Sequence, residues 1–369
     1  MAEQVAVFQI GSLGDSIVSL PALRAIRERL PECSDYILVS RYDNNTYVLP
    51  ASVFDMVWKA KTNINFLGQV SAVRKLRSAA GAIRQLRRYR PRYCVSLMPS
   101  PRTPAQVRRD ALFFRAAGVR ELIGFRPMSQ EELRETSIGG ALRRESYLRF
   151  KRLAGENAAH EFSRYAALPL LAPDALNVSA VRTWLNLRGA GQGRLLVAVC
   201  PFSNLAARDW PIAHVKELIA RLAPRADIVV VGGAKDKERA ASLFAAAPYA
   251  IDACGAFQVK ESAALLSLCR LAITVDSGPM HLASAVGTDS LVILSRYDEF
   301  GRWLPLGTGH TVLYRDVPCA GCRQPVCPLS GHPCMSQISV DDVFDAALRK
   351  LGLAEAAPPR RTSTNILTL

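Results

Sequence analysis

No stretch of the 369-residue chain stays apolar over the ~18–20 residues that a bilayer-spanning helix needs, and the opening MAEQVAVFQIGSLGD has no charged segment leading into an apolar run and a cleavage site. A cytoplasmic protein is expected. In that reducing compartment the nine cysteines are not expected to form structural disulfides. Charged residues are few, 21% against 49% hydrophobic, and Gly and Pro stay near background, which sets aside disordered, collagenous and coiled-coil classes. No repeat of solenoid period is evident. Acid is scarcer than base: 32 Asp and Glu face 47 Lys and Arg, a net charge of +15. Such an excess raises nucleic acid, an anionic membrane surface or a polyanionic substrate as partner.

The excess is local. Between Arg74 and Arg152 there are 20 Lys and Arg against 6 Asp and Glu, so the remainder is close to neutral. At roughly 100–200 residues per domain the length predicts two domains. Short apolar runs alternate with amphipathic stretches, the pattern of βαβ units around a parallel sheet, and it occurs twice. In the first half it predicts strands at 4–10, 36–40 and 93–98 and helices at 16–30 and 66–89. It lapses from 169 to 194 around one helical piece at 178–187. It then resumes with strands at 195–200, 228–231, 271–275 and 290–294, helices opening at Pro211, Lys235, Lys260 and Pro279, and a last helix at 340–351. Domains are expected at 1–172 and 195–352, with a linker at 173–194 and a mobile tail at 353–369. Ligands of doubly wound sheets bind at the carboxyl ends of strands, here the loops after Ile10, Cys200, Val231 and Val275.

The first of these loops reads Gly11-Ser-Leu-Gly14-Asp15-Ser16. Its glycines let the backbone turn tightly and approach a ligand, and Asp15 falls at the mouth of a helix. On local sequence alone Asp15 or Ser16 serves equally well as a helix cap. The spacing is neither G-x-G-x-x-G nor a Walker A loop, so neither dinucleotide binding nor P-loop chemistry is indicated. After Cys200 comes PFSNLAARDWP, where Ser203, Asn204 and Arg208 suit a loop that holds phosphate oxygens, although Asp209 could simply cap the next helix. After Val275 comes Asp276-Ser277-Gly278-Pro279-Met280-His281, which sets free backbone N–H groups at a helix entrance and a histidine in the first turn.

In order and spacing these pieces resemble glycosyltransferase family 9, the heptosyltransferases of lipopolysaccharide core assembly. The matching segments are IGSLGDSIVSLPALRAIR, PFSNLAARDWP, TVDSGPMHLASAVGT and CAGCRQPVCPLSGHPCM, and the likeness is loose between about 43 and 172. The resemblance implies a GT-B α/β fold, two Rossmann-like doubly wound domains facing a central cleft, with the acceptor on the first and the nucleotide sugar on the second. The implied reaction is inverting transfer of a sugar, heptose from ADP-heptose, to a hydroxyl of a lipopolysaccharide-core or related cell-surface glycan. By the same resemblance Asp15 is the general base, with Gly11, Gly14 and Asp276 shaping and positioning the loops. Ser203, Asn204, Arg208, Ser277, Gly278 and His281 would contact the donor diphosphate and Glu238 the nucleoside. Arg208, His281 and the helix terminus would meet the charge on the leaving diphosphate, so the chemistry requires no cofactor. The family usually carries Lys at Arg208 and often Thr at Ser203 and Ser277. The first departure keeps the charge and changes the donor geometry.

Cys33, Cys94, Cys200, Cys254 and Cys269 lie in apolar runs and read as core filler. Cys319, Cys322, Cys327 and Cys334 crowd together, with His332 beside them, and offer either a structural Zn or Fe site or four free, redox-sensitive thiols. The basic stretch (Arg84, Arg87, Arg88, Arg90, Arg92, Arg102, Arg108, Arg109, Arg115) fits an anionic lipid-linked acceptor at the inner membrane surface, and equally fits solvated helix faces. Two other classes compete: a basic nucleic-acid-binding protein with a zinc module, and a GT-B-like binding protein that has lost catalysis. Only Tyr89, Tyr93, Phe113 and Phe114 lie near the arginines, without the spacing of a nucleic-acid platform, so nucleic acid is not expected as a partner.

Overall fold

The computed structural model describes residues 3–9, 11–41, 53–66, 72–134, 144–353 and 365–368. The chain divides into two units, Met1–Leu170 and Leu171–Leu369. In the first, strands β1 (Glu3–Gln9), β2 (Cys33–Arg41), β3 (Ala60–Phe66), β4 (Tyr93–Ser96) and β5 (Glu121–Ile123) form a parallel sheet in the order β3-β2-β1-β4-β5. Val5 to Phe8 of the central strand are all buried, the continuous apolar run expected when both faces of a parallel strand are covered. The helices that cover them include α1 (Leu13–Val18), α2 (Leu20–Arg29), α3 (Ala72–Tyr89), α4 (Pro104–Ala116) and α5 (Arg144–Ala154). Phe8 anchors the core edge-on to Phe114, with ring centroids 5.1 Å apart.

The second unit contains β6 (Leu195–Cys200), β7 (Ala226–Val230), β8 (Ile251–Asp252), β9 (Leu271–Val275), β10 (Ser290–Leu294), β11 (Thr311–Tyr314) and β12 (Asn365–Thr368), in the order β12-β11-β10-β9-β6-β7-β8. All pairs are parallel except β11 with β12. Its helices include α6 (Ala175–Asn186), α7 (Ile212–Leu222), α8 (Lys237–Ala246), α9 (Val259–Leu268), α10 (Gly278–Ala285) and α11 (Val340–Leu351). Helix α11 shows why its ends were legible: the Ser339 side chain accepts from Asp342 N at one end and Gly352 turns left-handed (φ 71°) at the other. Trp210 ties α11's entry to the sheet by donating from Nε1 to the Ile338 carbonyl at 3.0 Å.

Two Rossmann-like doubly wound sheets in one chain are the GT-B pair that was expected, and several local expectations need correction. The helix predicted at 16–30 is two helices that meet at Ser19, whose hydroxyl donates to the Asp15 carbonyl (2.8 Å) one residue before the Leu20-Pro21 start of α2. The helix predicted from 66 is described over Ala72–Tyr89, with 67–71 outside the described residues, and Phe66 belongs instead to β3. The stretch read as a linker, 173–194, falls within the second unit, where Asp174 caps α6 by accepting from Asn177 N at 2.8 Å. The tail expected to be mobile ends instead as the edge strand β12, with Leu367 paired to Val312 in an antiparallel ladder, while 354–364 lie outside the described residues. Ile10, the end of the first predicted strand, also lies outside them.

Candidate functional site

Each sheet reverses its strand order beside its first strand, between β1 and β4 in one unit and between β6 and β9 in the other. Loops leaving such neighbours diverge and open a crevice at the carboxyl edge. In the first unit the loop after β1 carries Asp15 into the first turn of α1. One carboxylate oxygen, Oδ2, accepts from Ser12 N (2.8 Å) and the Ser12 hydroxyl (3.2 Å), so the capping role is real. The other, Oδ1, accepts from Arg149 Nη2 at 2.7 Å. The site depends on Gly11: its φ is +139°, and a Cβ there would stand 2.2 Å from Asp15 Cγ. Gly14 is buried within α1.

Arg149 and its companion Glu145 had no sequence signal beyond an i, i+4 pairing in the basic stretch. Arg149 is fully buried, and its Nε donates to Glu145 Oε1 at 3.1 Å. Burial penalises the Arg149 charge, but the carboxylates of Glu145 and Asp15 outweigh it and hold the guanidinium above its ordinary value. One turn on, Arg152 donates to the Met98 carbonyl, its Nε has no protein partner, and burial followed by repulsion from Arg149 brings it down to about 9.

In the second unit four loops are stitched along one sheet edge. Lys235, after β7, donates to Asn204 Oδ1, after β6. Arg208 lies 3.3 Å from Asp276 Oδ2, after β9, and its guanidinium sits 4.5 Å above the Tyr297 ring, after β10. His281, buried in the first turn of α10, meets the Trp303 ring edge-on at 6.3 Å. Ser277 is the N-cap of α10, and its hydroxyl has no protein partner. Gly278 opens the helix, where backbone N–H groups face outward. Ser203 shapes its own loop instead of pointing out: its hydroxyl donates to the Leu205 carbonyl (2.6 Å) and its N–H to Asp209 Oδ1 (2.8 Å). Asp209, which also receives Arg239, is thus a loop tie, and the cap of α7 is Pro211. Glu238 is exposed in the first turn of α8.

Burial raises the Asp276 carboxyl against the pull of Arg208. Burial would raise Asp298 too, but the Glu299 N–H, Arg302, the Trp303 indole N–H (2.9 Å) and Arg323 together hold it below its ordinary value. The whole 295–303 loop, with Tyr297, Asp298 and Trp303, escaped sequence reasoning because nothing in SRYDEFGRW has the small-residue spacing of an anion loop.

The five scattered cysteines are buried, as expected of core filler. The clustered four share a neighbourhood, since burial and then Cys327, Cys319 and Cys322 push the Cys334 thiol up against the pull of a backbone contact at Arg296. Yet among the described residues no three His, Cys, Asp or Glu side chains are set to hold a metal ion. Of the two readings of the cluster, a preformed Zn or Fe site is not seen among the described residues: Cys334 packs into the core with Met335 while Cys319, Cys322 and Cys327 lie half-buried in the preceding loop. That loop is not remote from the candidate donor residues: Ala207 N donates to the Pro325 carbonyl (3.1 Å), and His332 Nε2 lies 3.1 Å from the Ala207 carbonyl.

The basic stretch divides. Arg92, Arg102, Arg109 and Arg126 pair with carboxylates and Arg87 with the Ala116 carbonyl, whereas Arg74, Arg77, Arg84 and Arg88 are exposed on α3. Their spacing of three, seven and four residues puts those four on one helix face. Among the described residues no helix is long and apolar enough to cross a membrane.

Residues 162–332 match the family described as glycosyltransferase family 9 (heptosyltransferase), over the part of the chain where the loop resemblance is strongest. The chain is 22% identical over 167 residues to lipooligosaccharide heptosyltransferase 2 of Campylobacter jejuni, 42% of this chain and 50% of that protein. It therefore spans about half the length of the curated relatives it matches. The fold is that of a glycosyl transferase family 9 protein from Veillonella parvula (TM-score 0.70, 17% identity, 96% of this chain and 98% of the other). It is equally that of the E. coli ADP-heptose lipopolysaccharide heptosyltransferase II (TM-score 0.68, 17% identity, 94% and 98%).

Proposed function

We propose that this chain, with its glycosyltransferase family 9 match and GT-B fold, is an inverting glycosyltransferase that moves heptose from ADP-heptose to a hydroxyl of a lipopolysaccharide-core or related glycan. The observation that carries the donor half is Arg208. It is a half-buried cation with an unpartnered Nε, next to a carboxylate-bearing loop whose Ser277 hydroxyl is also unpartnered, at the N-terminus of α10. These groups suit the oxygens of a diphosphate. Asn204, held by Lys235, would add a contact to the diphosphate, and Glu238 would accept from a ribose hydroxyl of the nucleoside.

In the reaction the acceptor oxygen attacks the anomeric carbon as the bond from that carbon to the diphosphate oxygen breaks, inverting its configuration. The hydroxyl proton passes to the Asp15 carboxylate, and the electron pair leaves with the diphosphate. Arg208, His281 and the α10 terminus would meet the developing negative charge. The exposed Arg74, Arg77, Arg84 and Arg88 face would hold the anionic, lipid-linked acceptor at the cytoplasmic membrane surface, each arginine contributing on the order of 1 kcal/mol. A thermal-shift panel of ADP-, UDP-, GDP- and dTDP-sugars tests the donor assignment. A selective shift with the ADP-sugar supports it, and no shift with any of them at millimolar concentration overturns it.

A further inference from the structure

The guanidinium of Arg149 is the hub of the Asp15 site. Its Nη2 donates to Asp15 Oδ1 (2.7 Å), its Nη1 to both the Asp15 carbonyl (2.7 Å) and the Ser19 hydroxyl (2.7 Å), and its Nε to Glu145 Oε1 (3.1 Å). Glu145, 1% exposed, also accepts from Ser100 N (2.9 Å), which anchors α5 to the loop after β4. A side chain of Asp turns freely about two bonds. Here the fork of Arg149 fixes one carboxylate oxygen, Oδ1, and Ser12, through its N–H and hydroxyl, the other, and Oδ1 keeps a further lone pair for an incoming hydroxyl.

The charges matter as much as the geometry. Arg149 alone beside Asp15 would leave the pair with no net charge. Glu145, on the far side of the same guanidinium, restores a net charge of minus one to the trio. Among the described residues, further positive charge lies close by: Arg152, one turn along α5, which repels Arg149, and Arg102 and Arg126, which repel Arg152 and pair with Asp110 and Glu132. With that much positive charge at hand, the Glu145 carboxylate offsets the Arg149 charge that faces Asp15.

We propose that Glu145 and Arg149 are the positioning pair of the catalytic base: Arg149 orients Asp15, while Glu145 orients Arg149 and offsets its charge. The proposal rests on Asp15 being the base. Both residues act through Asp15 and need not touch the acceptor.

The test is steady-state sugar transfer by Asp15→Asn, Glu145→Gln, Glu145→Asp, Arg149→Met, Arg149→Lys and the Asp15→Asn/Glu145→Gln double variant, with ADP binding and thermal melting measured for each. Glu145→Gln and Arg149→Met are expected to lower kcat on the order of tenfold or more, within the range a positioned base supplies, with the donor KM within about twofold of the parent. The conservative Arg149→Lys and Glu145→Asp are expected to recover part of the loss. They keep the question open to test if the bolder variants fail to fold. In the Asp15→Asn background Glu145→Gln should cost nothing further, because its route to the reaction is already gone. Glu145→Gln and Arg149→Met at the parental kcat beside an inactive Asp15→Asn would overturn the positioning role and leave the base assignment standing. A full additional loss in the double variant would overturn it as well. Asp15→Asn at the parental rate would instead remove the base reading itself.

Discussion

Replacing Gly11 by alanine perturbs the Asp15 site without removing any of its polar groups. At φ +139° an alanine carries backbone strain of about 1–3 kcal/mol. Its Cβ would also stand 2.2 Å from Asp15 Cγ and 2.4 Å from Oδ2, so the carboxylate must leave. It would then lose the bonds from Ser12 N (2.8 Å) and Arg149 Nη2 (2.7 Å), each worth roughly 1.5–3 kcal/mol because one partner is ionised. Allowing for relaxation of the loop, a total loss of about 3–5 kcal/mol is expected, a fall in Tm on the order of 10 °C for a unit of this size. Gly118 is the internal control: its φ is +89°, but a Cβ there meets nothing within 4 Å, so Gly118→Ala carries the strain alone. Differential scanning calorimetry of the two variants separates clash from strain, and transfer kinetics should show a kcat loss of about 10²–10⁴ only for Gly11→Ala. If Gly11→Ala melts with Gly118→Ala and turns over at the parental rate, the packed carboxylate is not what the loop is built around.

Other outcomes follow from the same structure. Arg208→Lys keeps the charge but loses the fork and the seat on Tyr297, so calorimetric ADP affinity should fall about tenfold, and Tyr297→Leu should weaken it about three- to tenfold through the lost cation–π contact. Arg152 carries its burial penalty at neutral pH, because burial brings its folded value down to about 9, well below the ordinary range of an arginine. Relative to Arg152→Met, the parent should therefore be less stable by on the order of 1 kcal/mol at pH 7 and should gain ground as pH rises above about 9, which paired urea titrations would show. Alkylation of the native protein followed by mass spectrometry should modify Cys319, Cys322 and Cys327 and spare the six buried cysteines, whose thiols are raised by burial wherever a shift is seen.

What the sequence disclosed follows from which signals are local. The strands at 195–200, 271–275 and 290–294 and the helix at 340–351 were read to the residue, because a buried parallel strand is an unbroken apolar run and α11 carries its own caps. Strand β3, AKTNINF, was missed since its polar residues break that run, and β12 because four residues in a polar tail gain strand character only by pairing with β11. In the candidate donor loops, Arg208, Ser277 and His281 were visible as types suited to an anion at a helix entrance, and Asp276 as a residue positioning the loop. Tyr297 and Trp303, which seat Arg208 and meet His281, come from a neighbouring strand's loop and are adjacent only through sheet order. Arg149 lies 134 positions from Asp15 along the chain, and no periodicity links them. The two readings of the cysteine cluster could not be separated from spacing for the converse reason: residues close along the chain diverge in the fold, with Cys334 turned into the core and the other three half-buried.

The most direct measurement is the transfer itself: purified protein with ADP-heptose and a lipopolysaccharide-core acceptor, the product identified by mass spectrometry and its anomeric configuration by NMR, for the parent and Asp15→Asn. The account predicts a heptosylated product with inverted configuration from the parent, and turnover reduced by about 10²–10⁴ in Asp15→Asn with ADP binding intact. Retention of configuration, or an Asp15→Asn variant that transfers at the parental rate, would contradict it.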